Sequence, residues 1–560
     1  MRSVQTTPPR RALAAREWVV TGLAAGLVLA ALTVPSSLEE LGVPVLLRLP
    51  VELLVLLAVV LALPPRLARA RTAVALTGGV VLGLVAVFRL LDIGFVAALN
   101  RPFDPLIDWR YAGSLVELVR DAFGGLLGTT LLVVSGLVVV AVLALVPMAV
   151  VRLCRVAAGN RRPAAAVVGV LSLGWLSLAV LDVRGPAGPV ASSATAGYVE
   201  AQVARVPGQL RDRREFLVAA RDDPLRDVPA GELFAGLRGK DVLVVFVESY
   251  GRLALEDPEL APGVTSVLAA GDRRLERAGF ASRSAYLTSP TFGALSWLAH
   301  ATLQSGLWID SQPRYDVLVT SPRLTLTSLF GRAGWRTVAA VPANNRDWPQ
   351  GEFYGFDQVY DSRNIGYEGP RFGYPTMPDQ YTLDAVHRLE LAPTARRPVM
   401  AEVDLITSHA PWSRTPRLVD QAAVGDGSVF EGMPEQLPSE ADIWPDRDRI
   451  RQAYGHAVEY SLRAFVRFLT TYGDDDLVVV LLGDHQPATV VSGPDAGHEV
   501  PVSVLARDPA VLDRIAGWDW DRGLRPGPDA PVWPMDAFRD RFVAAYSAGG
   551  ENGAASGAGR

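Results

Sequence analysis

Five long apolar runs occupy the first third of the chain, near residues 18–35, 44–63, 73–98, 126–151 and 164–183. Each run is close to the roughly 20 residues that an α-helix needs to cross the apolar core of a bilayer. Charged residues are scarce inside the runs and gather between them. The pattern predicts a multi-span α-helical membrane domain of five transmembrane helices over residues 1–183.

The pattern changes downstream of the last apolar run. Residues 184–238 begin with Pro, Gly, Ala and Ser and continue into the charged helical stretch RDRREFLVAARDD, which predicts a juxtamembrane linker. From 239 to 545, short β-rich apolar runs alternate with helical segments, which predicts an α/β domain with mostly parallel strands. Residues 546–560 have almost nothing to bury, and we expect a disordered tail.

Polar residues follow the apolar runs of this predicted sheet. DVLVVFV leads into Glu248, RTVAAV into Asn344–Asn345–Arg346, PVMAEVDLI into His409, and DLVVVLL into Asp484–His485. In open α/β sheets, ligands bind beyond the carboxyl ends of the strands. The sequence therefore predicts a functional site at this edge.

Charge and composition narrow the function. Residues 1–183 carry 16 Arg and 10 acidic residues, whereas 38 basic and 49 acidic residues follow. The acidic downstream part argues against a nucleic-acid partner, which would need a concentrated basic surface. The single cysteine, Cys154, excludes an internal disulfide and a Cys-rich zinc site.

The distribution of arginines also predicts the orientation of the protein in the membrane. They cluster before the first span, between the second and third, and between the fourth and fifth, as Arg2, Arg10, Arg11, Arg16, Arg66, Arg69, Arg71, Arg152, Arg155, Arg161 and Arg162. Positive segments stay in the cytoplasm. With five spans, a cytoplasmic N-terminus places the α/β domain outside a bacterial-type plasma membrane.

Glu248, Asp484 and His485 supply two carboxylates and an imidazole, which suit one divalent metal, Zn²⁺ or Mn²⁺. Pro290 and Gly293 break the chain before an apolar helical run that begins near Ser296. A hydroxyl there can serve as a helix cap. It can also become a nucleophile, because metal coordination lowers the pKa of a hydroxyl, and Thr291 is the other hydroxyl nearby.

These motifs together resemble a known family. VFVESYG, the spacing from Gly293 to Gly306, ANNRDWPQGEFYGFD, ITSHAPW and LLGDHQP occur in this order behind the apolar runs. The set resembles the lipoteichoic acid synthase type of the alkaline-phosphatase/sulfatase superfamily, whose relatives include membrane phosphoglycerol transferases and, more distantly, lipid A phosphoethanolamine transferases.

The resemblance implies a role for each matching residue. Glu248, Asp484 and His485 match the family's metal ligands, and Ser296 matches the metal-bound nucleophile, which is usually Thr. Arg346, His409 and His498 match substrate-binding positions. His300, one helical turn after Ser296, stands where relatives tend to carry an acid.

The implied function is a metal-dependent transferase of the membrane. Ser296 would take a phospholipid headgroup, of phosphoglycerol or phosphoethanolamine type, and pass it to a cell-envelope glycan or lipid acceptor. Alternatives are a sulfatase or phosphodiesterase-type hydrolase of the same fold, and a non-catalytic membrane scaffold. Ser296-Trp297-Leu298 lacks the proline and arginine of sulfatase segments.

Overall fold

The computed structural model of the chain divides into two compact units. One contains Met1–Ala97 and Arg101–Asp212, and the other contains Ala98–Asn100 and Arg213–Arg560. The structure describes residues 10–36, 42–105, 107–111, 113, 116, 125–186 and 188–549. Most of the expected tail, 546–560, lies outside the described residues.

The first unit is built mainly of helices. They are α1 Arg10–Thr33, α2 Val51–Ala62, α3 Ala68–Leu99, α4 Gly125–Gly159, α5 Arg161–Val180 and α6 Ala194–Ala219, the last of which continues past the unit boundary. Four two-residue strands pair near them: β1 Leu49–Pro50 with β4 Ala191–Ser192, and β2 Arg184–Gly185 with β3 Gly188–Pro189.

Four helices of the described residues are long and apolar enough to cross a membrane, in the segments Arg16–Thr33, Pro65–Ala97, Gly128–Gly159 and Arg161–Val180. The predicted span 44–63 differs, because only the 12 residues of α2 are α-helical. Pro44, Pro50 and Pro64 flank this helix, and proline cannot donate the backbone hydrogen bond that a helix interior requires. Twelve residues rise about 18 Å, short of the roughly 30 Å apolar core of a bilayer.

The second unit is built around a large sheet, which confirms the predicted α/β fold. Its strands are β5 Asp241–Val247, β6 Ala281–Thr288, β7 Arg336–Val341, β8 Gln358–Asp361, β9 Val399–Leu405, β10 Leu477–Gly483, β11 Glu499–Ala506, β12 Asp521–Arg522 and β13 Val532–Pro534. The order is β12-β6-β11-β10-β5-β9-β7-β8, with β13 also beside β6. The run β10-β5-β9-β7-β8 is parallel, whereas β11 is antiparallel to both β10 and β6.

Helices cover both faces of this sheet. They are α7 Leu253–Glu256, α8 Ala261–Arg277, α9 Ser296–Ser305, α10 Gln312–Leu318, α11 Leu326–Arg332, α12 Gly351–Tyr354, α13 Asp379–Val386, α14 Glu440–Ile443, α15 Arg447–Tyr472, α16 Thr489–Ser492, α17 Pro509–Asp513 and α18 Ala537–Tyr546. Alternate residues of β5 enter two different cores. Leu243 packs in the core that includes α8 and α15, and Val244 in the core that includes α9, α11 and α18. A strand that is buried on both faces forms one continuous apolar run in the sequence. This is why the sequence DVLVVFV predicts a buried strand.

Candidate metal centre and nucleophile

Strand register brings the two acidic strand ends together. β5 and β10 are parallel neighbours, and Val247 is the register partner of Gly483. Glu248 and Asp484 are the next residues of their strands, so they leave the sheet side by side. Both are buried, with exposures of 9% and 1%. This adjacency depends on the order of the strands, which the sequence leaves open.

A tight turn after β5 holds the Asp484 carboxylate. Ser249 adopts a left-handed φ of 56°, which turns its backbone N–H toward Asp484 Oδ1 at 2.7 Å. The N–H of His485 donates to the same oxygen, also at 2.7 Å. A Cβ on Gly483 would lie 1.9 Å from the carbonyl oxygen of Tyr250, so this crossing requires glycine. The two backbone donors fix Oδ1 and leave Oδ2 for another partner.

Ser296 lies against these residues at the start of α9. The chain approaches the helix through left-handed residues at Gly293, with φ of 72°, and Leu295, with φ of 70°. The Ser296 hydroxyl donates to Glu248 Oε2 at 3.0 Å and lies 3.2 Å from His485 Nε2. Leu295 occupies the N-cap position, and no side chain caps the helix. The hydroxyl of Ser296 is thus directed into the cluster instead of capping the helix.

The hydrogen bonds of His485 identify its tautomer. Nδ1 lies 2.8 Å from the carbonyl oxygen of Gln486, and a carbonyl can only accept, so we place the proton on Nδ1. Nε2 then faces Ser296 and Glu248, and in the neutral ring it is the atom with the lone pair that can bind a metal. A carbonyl that holds the far N–H of the ring is the usual support of a metal-binding histidine.

The cluster has the chemistry and spacing of a divalent metal site. Ligand atoms of Glu248, Asp484 and His485 lie within 4.8 Å of one another. His485 Nε2 is 3.4 Å from Glu248 Oε1 and 3.6 Å from Asp484 Oδ2. Four ligands about 2.0–2.2 Å from a tetrahedral metal would be about 3.3–3.6 Å apart.

One buried oxygen of the cluster has no hydrogen-bond partner. Asp484 Oδ2 is buried and makes no hydrogen bond. Burial, and next the charge of Glu248, raises the pKa of Asp484 to about 6. A divalent cation would satisfy the oxygen and remove this penalty on the ionised form. The residues therefore fit a bound metal.

Thr291, the alternative nucleophile, lies elsewhere in the loop before α9. It is buried, and its hydroxyl is 3.4 Å from the hydroxyl of Ser289. Ser289 in turn donates to the backbone carbonyl of Asp484, at 2.6 Å. Ser296, and not Thr291, hydrogen-bonds to the cluster.

His409 is half-buried on the loop that follows β9. Its ring stacks on Tyr374 with 3.7 Å between centroids, and Nδ1 contacts the carbonyl of Ala410 at 2.5 Å. Burial lowers the pKa of His409 to about 4 despite that hydrogen bond. The imidazole is therefore neutral at pH 7, with Nδ1 donating and Nε2 left as the acceptor.

The structure places His498 next to Ser289 and Arg346 on the loop after β7. His498 Nδ1 contacts the carbonyl of Ser289 at 3.2 Å, so Ser289 links it to Asp484. Arg346 is exposed on the loop after β7, and β7 is separated from β5 by β9. Its Nε donates to Asn345 Oδ1 at 3.4 Å.

A second group of ionisable side chains lies under α9, and most of it was missed from sequence. His300 Nδ1 is 3.0 Å from Glu402 Oε1 and 3.6 Å from Asp404 Oδ1. Its ring stacks on Phe246 with 3.8 Å between centroids. The sequence AEVDL could have indicated this group, because its two acidic residues are two positions apart and share one face of an otherwise apolar strand. From the sequence, this run served only as the strand that leads into His409.

Comparisons with known proteins give similarity in structure only. The chain matches no protein-family profile and no curated protein sequence. Similar solved structures include the lipoteichoic acid synthase LtaP of Listeria monocytogenes, with 15% identity, a TM-score of 0.37 and coverage of 60% of this chain and 78% of that one. These structures are of the type predicted from the ordered sequence motifs.

Two further structures are similar at the same level. The phosphoglycerol transferase GacH of Streptococcus pyogenes, solved with sn-glycerol-1-phosphate, has 13% identity, a TM-score of 0.35 and coverage of 61% and 80%. The periplasmic domain of Escherichia coli EptC has 12% identity, a TM-score of 0.37 and coverage of 56% and 83%. Similarity this low carries no information on substrate or mechanism, which must come from the site itself.

Proposed function

We propose that the protein is a membrane-anchored, metal-dependent phosphotransferase that moves a phospholipid headgroup through a covalent phosphoserine at Ser296. The observation that carries the proposal is the position of the Ser296 hydroxyl, 3.0 Å from Glu248 and 3.2 Å from His485 at the start of a helix. A hydroxyl that only capped the helix would bond to backbone N–H groups.

Glu248, Asp484, His485 and Ser296 would hold one divalent metal, Mn²⁺ or Zn²⁺. When bound, the metal would lower the pKa of the serine hydroxyl and neutralise charge on the phosphoryl oxygens. In this arrangement Glu248 accepts the hydroxyl proton of Ser296, and the Nδ1–H of His485, held by Gln486, keeps Nε2 directed at the serine.

The reaction would proceed in two displacements. The Ser296 oxygen forms a bond to the phosphorus while the bond to diacylglycerol breaks, and diacylglycerol leaves with the proton. The hydroxyl of a cell-envelope glycan or lipid, or water, then attacks the same phosphorus and releases Ser296. The N-terminal end of α9 favours the anionic group at this position.

Arg346, His409 and His498 are the proposed substrate-binding residues. Neutral His409 can accept a hydrogen bond at Nε2 from a headgroup hydroxyl, because its Nδ1 is engaged by Ala410. Arg346 offers a planar set of donors suited to phosphate oxygens. It is exposed, so it would have to reach the phosphate from the loop after β7.

We also propose that residues 1–183 anchor the enzyme in a bacterial-type plasma membrane, with the N-terminus inside and the catalytic region, 239–545, outside. This orientation requires an odd number of crossings, so the segment 44–63, of which α2 is the helical part, would have to cross together with the four longer helices. An outer-leaflet phospholipid would then lie on the same side of the membrane as the site. Residues 184–238 would connect the two parts, and helix α6 lies within them.

Intact-protein and peptide mass spectrometry tests the reaction. The purified full-length protein is incubated with Mn²⁺ and defined phospholipids, first phosphatidylglycerol and then phosphatidylethanolamine. The proposal expects released diacylglycerol and a headgroup-phosphate mass on the peptide that contains Ser296. Diacylglycerol release with label on another residue would refute the nucleophile, and no release with any phospholipid would refute the function. Turnover only with water as acceptor would identify a hydrolase.

A further inference from the structure

A second set of metal-competent side chains lies beside the proposed catalytic metal. Within the described residues, two groups of His, Asp and Glu have ligand atoms within 4.8 Å of one another. One is the cluster of Glu248, Asp484 and His485, and the other is His300, Glu402 and Asp404. Each group has one imidazole, one Glu and one Asp.

The two groups have similar spacing. In the second, His300 Nδ1 lies 3.0 Å from Glu402 Oε1 and 3.6 Å from Asp404 Oδ1. In the first group, His485 Nε2 lies 3.4 Å from Glu248 Oε1 and 3.6 Å from Asp484 Oδ2. Each group also contains one buried carboxylate oxygen without a hydrogen-bond partner, Asp484 Oδ2 in the first and Asp404 Oδ1 in the second.

Neighbouring polar groups fix the orientation of Glu402. Gln304 Nε2 donates to Glu402 Oε2 at 2.5 Å. The amide cannot be flipped, because the backbone N–H and the hydroxyl of Thr327 donate to Gln304 Oε1 at 3.0 and 3.1 Å. Glu402 Oε1 is thereby held facing His300, as carboxylate ligands are usually held by a second hydrogen bond.

The group is also open to solvent on one side. The side chain of Glu402 is 3% exposed, whereas those of His300 and Asp404 are 12% and 18% exposed. Solvent therefore contacts the group at its His300 and Asp404 edge.

The surroundings favour a cation. The carboxylates of Glu402 and Asp404 face His300 Nδ1 at 3.0 and 3.6 Å and make the group electronegative. Asp484 of the first group contributes to the same field. A negative field around three possible ligand atoms attracts a metal ion.

We propose that His300, Glu402 and Asp404 bind a second divalent cation, next to the one held by Glu248, Asp484 and His485. His300 Nδ1 and one oxygen from each carboxylate are the ligands, and the ion displaces the proton from His300.

The second cation also improves charge balance at the active site, an argument that rests on the proposed function. The charges of Glu402, Asp484 and Glu248 all act on Asp404, so the four carboxylates share one electrostatic region. One divalent ion would leave a net negative charge there, which would repel an anionic phosphate. Two would neutralise the four carboxylates.

Metal stoichiometry of the full-length protein tests this inference independently of activity. The protein in detergent is stripped with chelator, dialysed against Mn²⁺ alone, and analysed for bound Mn²⁺ by elemental mass spectrometry. We expect about two Mn²⁺ per chain for the wild type, one for Glu402→Gln and one for Glu248→Gln. Glu390→Gln is the matched control, because Glu390 is equally buried but paired with Arg336 outside both groups. It should retain two.

The variants separate this inference from the proposed function. A wild type that binds one ion, or a Glu402→Gln protein that still binds two, overturns the second site. Loss of an ion in Glu402→Gln but not in Glu248→Gln would support the second site and refute the first. If Glu402→Gln fails to fold, Asp404→Asn, at the partly exposed edge, should also bind one ion.

Discussion

The hydroxyl of Ser296 donates a hydrogen bond to the carboxylate of Glu248 at 3.0 Å, although the residues are 48 positions apart in sequence. The same hydroxyl is 3.2 Å from His485 Nε2. One serine thus contacts residues that follow two parallel strands, β5 and β10. Substitution of a single side chain can therefore test the predictions about the nucleophile and the metal.

Replacement of the serine should abolish transfer with little effect on folding. Ser296→Ala should lower the rate of headgroup release by at least about a thousandfold, because the nucleophile is lost. The lost hydrogen bond to a charged group is worth about 1.5–3 kcal/mol at most, and no helix cap is removed. Diacylglycerol release and the thermal unfolding midpoint measure the two effects.

Two further variants serve as controls for this result. Ser296→Thr restores the hydroxyl and should keep measurable activity, whereas Thr291→Ala should be mild, because Thr291 contacts Ser289 and not the cluster. A dead Thr291→Ala enzyme beside an active Ser296→Ala enzyme would move the nucleophile to Thr291.

Metal should stabilise the wild type more than it stabilises a variant that lacks one ligand. At a hundred times its Kd, a ligand specific for the folded state adds about 2.7 kcal/mol, or roughly 5 °C in the unfolding midpoint. Mn²⁺ or Zn²⁺ should produce this shift in the wild type and a clearly smaller one in Glu248→Gln. The measurement is intrinsic tryptophan fluorescence on heating, with Glu390→Gln as the matched variant. Equal shifts in all three proteins would contradict the assignment of Glu248.

A buried carboxyl away from the metal centre should reduce stability as pH rises. Burial raises the pKa of Asp379 to about 6, even though Thr407 and Ser461 donate hydrogen bonds to it. The folded state therefore binds more protons than the unfolded state between about pH 4 and pH 6, and this residue's contribution to stability falls over that interval. Two pKa units correspond to about 3 kcal/mol.

Asp379→Asn removes this titration. The unfolding midpoint of Asp379→Asn minus that of the wild type should increase from pH 4 to pH 7. A difference that is constant with pH would show that the carboxyl does not titrate as proposed.

The orientation can be tested with single cysteines. Cys154 is the only cysteine and is buried, so an exposed cysteine added elsewhere can be labelled selectively. Asp475→Cys, at a side chain that is 88% exposed, should react in intact cells with a maleimide that cannot cross membranes. Arg69→Cys, in a positive segment, should react only after permeabilisation. The reverse pattern would place the site in the cytoplasm.

Several features of the protein could be predicted from local sequence. Continuous apolar runs identified the buried strands, because a strand covered on both faces cannot alternate with polar residues. Glu248, Asp484 and His485 were found because they directly follow such runs. The segment 44–63 forms only a short helix because prolines flank it, and these prolines, Pro44, Pro50 and Pro64, are evident in the sequence.

Other features were decided by tertiary structure. Only the order of the strands makes Val247 the register partner of Gly483 and so places Glu248 beside Asp484. Glu402 and Asp404 sit within an apolar strand, and their partner His300 comes from a helix about a hundred residues earlier. The sequence pattern predicts which residues become buried and which of them form helices or strands. The packing and strand register of the whole chain determine which buried surfaces contact one another. They place His300 beside Glu402 and Ser296 beside Glu248.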